Sequence, residues 1–78
     1  MEIVRGRSYR VTVRYPWGGQ TVAVTDAVFR EADGTIRWVS DQDPGEGAYL
    51  DCVIQETATR VVGWYLGGCD VTVEITEE

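Results

Sequence analysis

The sequence contains no histidine, no lysine and no asparagine. Without histidine it lacks the usual general base near neutral pH and the commonest metal ligand. Without lysine there is no Schiff-base chemistry and no phosphate-loop lysine. Cysteine is limited to Cys52 and Cys69. Two thiols without a histidine cannot complete a four-ligand zinc site within one chain. No apolar run approaches the ~20 residues that a membrane span needs. No N-terminal apolar stretch reads as a secretory signal. These absences lead us to expect a cytoplasmic protein with free thiols, no enzymatic activity, no metal and no cofactor.

What is present favours a sheet. The 78 residues suit one small domain, 1–78. They include 12 Val, 4 Ile and 8 Thr but only 2 Leu. Branched side chains fit a pleated surface and lose rotamer freedom in helices. The net charge is −6, from seven arginines and thirteen acids. It is unevenly spread. Residues 1–30 hold five Arg against Glu2 and Asp26, a net of +3, and residues 31–78 hold eleven acids against Arg37 and Arg60, a net of −9.

Arg7 to Tyr15 alternates, with Tyr9, Val11, Val13 and Tyr15 on one face and Arg10, Thr12 and Arg14 on the other. Pro16-Trp17-Gly18-Gly19 is turn chemistry. Gln20 to Thr25 resumes the strand, and Asp26-Ala27 reads as a bulge or corner because apolar parity slips there. Val28 to Ala32 and Thr35 to Ser40 flank Asp33-Gly34, a two-residue hairpin signal that sets Phe29 opposite Trp38. Asp43-Pro44-Gly45-Glu46 then reads as a helix start, with Asp43 as cap and Pro44 in the first turn. Leu50, Val53, Ile54, Thr57, Ala58, Val61 and Tyr65 follow at helical spacing, and Gly67-Gly68 is a stop. The rival is a pair of strands, since Thr57, Thr59, Val61 and Val62 are β-branched. Cys69 to Thr76 alternates again, and Glu2 to Val4 is a candidate extra edge. The expected fold class is α+β: a mainly antiparallel sheet of four to five strands in the order β-β-β-α-β, with one helix, Pro44 to Leu66, on one face.

Chemistry-bearing constellations are sparse. Cys52 has no histidine to activate it. Asp41, Asp43 and Glu46 are hard oxygen ligands without the spacing of a calcium loop. Arg5, Arg7, Arg10 and Arg14 interleave with Tyr9, Tyr15 and Trp17 in the manner of a single-strand nucleic-acid platform. If the first and last strands are neighbours, however, Arg10 and Arg14 meet Asp70 and Glu74 and the charges offset. The acidic stretch from Asp41 to Glu56 carries no basic residue. It repels nucleic acid and anionic membrane and attracts basic partners. The partner-binding residues expected from sequence are Asp41, Asp43 and Glu46 in the loop, Asp51 and Glu56 on the polar helix face, and Trp17 as an aromatic anchor.

These features define a small acidic binding protein that occupies a basic, nucleic-acid-binding surface of a protein partner, without binding nucleic acid itself. In size, acidity and layout the whole chain resembles the small phage-encoded anti-CRISPR proteins. The resemblance implies stoichiometric inhibition of a CRISPR effector. No functional residue carries over from it, because those inhibitors share no motif. Two alternatives stand beside it. One is a host-encoded SH3-like or other β-rich interaction module, suggested by Gly6 to Arg14. The other is a weak nucleic-acid binder using the arginine-rich first strand.

Overall fold

The structure, a computed structural model, describes residues 1–41, 48–65 and 70–78. It holds seven strands: β1 (Tyr9–Arg14), β2 (Gln20–Thr25), β3 (Val28–Arg30), β4 (Ile36–Trp38), β5 (Ala48–Glu56), β6 (Arg60–Tyr65) and β7 (Thr72–Glu77). They form one antiparallel sheet in the order β2-β1-β7-β6-β5-β4-β3. β2 and β3 are therefore its two edges, yet only Asp26 and Ala27 separate them in sequence. Two residues cannot cross an open sheet of seven strands, each ~4.8 Å from the next. The sheet must curl until its edges meet. The result is a nearly closed up-and-down barrel in which β2 and β3 are two limbs of one bent strand, and closure leaves little free edge.

Alternation places the core. Tyr9, Val11 and Val13 of β1 point inward with Val73 and Ile75 of β7, Val61 of β6, Ala48 and Leu50 of β5, Ile36 and Trp38 of β4, and Val28 of β3. The Tyr9 ring is fully buried, and its hydroxyl is satisfied by the N-terminal segment. The Val4 N–H donates to it (2.8 Å), and it donates to the Glu2 carbonyl (3.3 Å). Met1 and Ile3 pack against the core from the same segment. Glu2 to Val4, expected as an extra edge strand, is instead a plug.

The α+β expectation is overturned. Among the described residues there is no helix, and 48–56 and 60–65, expected within the helix from Pro44 to Leu66, are β5 and β6. The cause is local. β5 shifts register against β6 twice, between Leu50 and Cys52 and between Val53 and Gln55. Each extra residue inverts side-chain parity, so two shifts erase the period of two over the length of the strand. Leu50, Val53 and Ile54 then fall at helical spacing by coincidence. Leu50 is buried, whereas Val53 and Ile54 are 39% and 52% exposed. The proposed cap, Asp43, the first-turn Pro44 and the stop at Gly67-Gly68 lie outside the described residues.

The second correction is one of register. Phe29 pairs with Arg37, and Val28 with Trp38. The loop is three residues long, not two: Glu31 N–H donates to the Thr35 carbonyl (2.8 Å) and Gly34 N–H to the Glu31 carbonyl (3.0 Å). Gly34 takes a positive φ of 94°. One extra loop residue slides the ladder by one and turns Phe29 outward. The β1–β2 hairpin repeats the design. Tyr15 N–H donates to the Gly19 carbonyl (2.8 Å), Gly18 N–H donates to the Tyr15 carbonyl (3.0 Å), and Gly18 has a φ of 96°.

Candidate functional site

Neighbouring strands decide where the charges go. β1 lies beside β7, and Arg14 bonds Glu74 (3.0 Å) as the neighbour argument required. Arg10 reaches Glu78 (3.3 Å) instead of Asp70. Glu74 also takes Arg60 on its second oxygen (2.7 Å), so one carboxylate bridges β1 and β6 across β7. Arg7 pairs with Glu77, Arg37 with Glu31 and Arg30 with Glu56. Six of the seven arginines are thus held by carboxylates of the same molecule. Of the proposed nucleic-acid platform, Arg7, Arg10 and Arg14 are engaged by carboxylates, whereas Arg5 has no carboxylate partner among the described residues. The acids left without an arginine among the described residues are Glu2, Asp26, Asp33, Asp41, Asp51 and Asp70.

Two of these share a cleft. At the seam of the barrel an open depression of about 690 Å³ is lined by Ser8, Thr25, Asp26, Ala27, Ser40 and Asp41. Its floor is stitched by the bent strand. The Thr25 hydroxyl donates to the Val39 carbonyl (2.6 Å) and accepts from Ala27 N–H (3.0 Å), and Val39 N–H donates to the Ala27 carbonyl (3.0 Å). These bonds satisfy the backbone where β2 ends and β3 begins, on either side of Asp26. Such a rim accepts hydrogen bonds and favours cations such as a guanidinium or ammonium.

The residues expected from sequence do not gather into one ridge. Asp41 is exposed on the cleft. Asp43 and Glu46 lie outside the described residues. Asp51 is exposed on β5, in the strand that replaces the helix. Glu56 is on β5 as well, but the Met1 amine (2.6 Å) and Arg30 (3.1 Å) both bind its Oε2. The hydrogen bond from the amine is the main reason its pKa lies below the ordinary glutamate value, with Arg30 assisting and desolvation opposing. Asp33 is lowered too, by hydrogen bonds from the Thr35 backbone and then its side chain. Trp17 is 76% exposed at the β1–β2 tip, its ring stacked on Tyr15 (centroids 5.2 Å apart, 6° between planes). A Cβ on Gly19 would fall on the Trp17 ring, so that glycine lets the stack form. β2 runs from Gln20 to Thr25 between tip and cleft, about 20 Å at 3.3 Å per residue, so Trp17 and the cleft are separate features.

Sequence reasoning missed Asp26. The signal was present, since parity broke at Asp26-Ala27, and a bend that closes a barrel exposes whatever polar residue it carries. Comparison of the chain with protein-family models, with curated proteins and with solved structures finds no match. No helix among the described residues is long and apolar enough to cross a membrane.

Proposed function

We propose that the protein is a binding module without catalytic activity, whose acidic seam cleft engages a basic surface or segment of a protein partner. The observation that carries this reading is the partition of charge. Six arginines are each paired with a carboxylate of the same molecule, while Asp26 and Asp41 line one cleft with no arginine between them. The excess negative charge is therefore available to a partner, and it steers basic surfaces toward the molecule. A field of that sign opposes phosphate backbones, which disfavours direct nucleic-acid binding.

The small barrel favours the β-rich interaction-module form of this reading. Inhibition of a CRISPR effector is a narrower form, and it rests on size and charge, since the helix in the expected layout is absent. Either form predicts the same test. Wild type and Asp26→Asn/Asp41→Asn are immobilised and exposed to lysate of the source cell. The wild type should retain a partner that elutes with rising salt and carries a cluster of Arg and Lys. The double variant should lose it. Equal retention by both would remove the cleft from the interaction.

A further inference from the structure

On this acidic molecule one cavity is positive. It lies beside the N-terminal segment, about 410 Å³ in volume, and is lined by Ile3, Arg5, Phe29, Arg30, Glu31 and Arg37. Three of the seven arginines meet there with one lining carboxylate. The outward turn of Phe29, set by the three-residue hairpin loop, makes this possible. Its ring carries two guanidiniums, Arg37 at 5.2 Å and Arg5 at 5.8 Å from the centroid. Cation–π contact holds both in position. Arg37 uses Nε for Glu31 and Arg30 uses one Nη for Glu56, and their remaining N–H groups have no partner among the described residues. Arg5 has no carboxylate partner among the described residues.

We infer that this cavity binds a phosphate group, with Arg5 as the principal ligand and the free forks of Arg37 and Arg30 completing the site. Guanidinium forks match oxyanions in two-point contact. A doubly charged group suits a cavity whose arginines outnumber its carboxylates better than a singly charged carboxylate does. The distant acids do not prevent this, because the screening length at physiological salt is about 8 Å. The phosphate can be a free anion or a phosphorylated side chain. The site is independent of the acidic cleft and stands or falls separately.

The test is a titration of the full-length, isotope-labelled protein at pH 7.5 with inorganic phosphate, O-phosphoserine and acetate, each followed by amide and arginine side-chain resonances. Both phosphates should give saturable shifts at Arg5, Phe29, Arg30 and Arg37, and acetate should bind more weakly. The tighter of the two phosphates identifies the source, and either order supports the site. Arg5→Gln should weaken phosphate about tenfold, the size expected for loss of a charged hydrogen bond. Arg5→Lys should weaken it less, and Arg7→Gln, whose arginine pairs with Glu77 elsewhere, should leave it unchanged. Absence of saturation, acetate equal to phosphate, or Arg5→Gln equal to wild type would overturn the assignment.

Discussion

At the scale of the residue, Gly63 and Glu74 carry the most structural weight. Gly63 faces inward on β6, opposite Val53 and Val73. A Cβ there would collide with the Cys52 carbonyl and the Leu50 side chain. Neither can move without disturbing the β5 bulges, so Gly63→Ala should destabilise the protein by about 2 kcal/mol, in the range for overpacking. Urea denaturation measures this; a loss under about 0.5 kcal/mol would mean that the strands are not so close. Glu74 is only 17% exposed and binds two arginines on separate oxygens. Glu56 contributes through pH. Its folded pKa is depressed, so its share of stability is present above the ordinary glutamate range and is lost as pH falls through the lowered folded value. Glu56→Gln should flatten that acid limb of the stability curve. An unchanged limb in an acid titration followed by circular dichroism would show that the amine and Arg30 do not hold it.

At the scale of the element, the strands with unbroken alternation were legible and the bulged strand was not. Tyr9–Arg14 and Thr72–Glu77 kept their period of two with Tyr9, Val11, Val13, Val73 and Ile75 inward as the sequence indicated, although Thr12, expected on the outer face, is buried too. Gln20–Thr25 also alternates, but its apolar Val22 and Val24 are 41% and 54% exposed while Thr21, Ala23 and Thr25 are half-buried. β5 lost its period because its two irregularities depend on how β6 pairs with it, a non-local fact that no window of the sequence contains. The hairpin at Gly34 failed more narrowly. Asp-Gly signals a turn, but whether two or three residues form the loop depends on the ladder on either side. The seam cleft was illegible because it arises only when both sheet edges meet. A pair of substitutions separates strand from helix at β5. Ile54→Ser should cost under about 0.5 kcal/mol because the side chain is exposed, whereas Leu50→Ala should cost about 3 kcal/mol. Similar losses at the two positions in thermal unfolding would restore Ile54 to a buried face and contradict the bulged strand.

At the scale of the whole molecule, the pairing of strands sorts the charges. The pairing of the first strand with the last, β1 with β7, commits the arginines of β1 to carboxylates at the C-terminal end. What remains is an acidic surface on which two of the carboxylates without an arginine, Asp26 and Asp41, line the seam cleft, and a cationic cavity near Phe29. The central claim is that the seam cleft, and not the acidic surface at large, recognises positive charge. The most direct measurement is an amide-shift titration of the labelled protein with an Arg/Lys-rich octapeptide at two salt concentrations. The account predicts the largest shifts at Ser8, Asp26, Ala27, Ser40 and Asp41, weaker binding at higher salt, and about fivefold loss in Asp26→Asn/Asp41→Asn, as for two partly exposed ion pairs. Shifts spread equally over Asp33, Asp51 and Asp70, with no loss in the double variant, would contradict it.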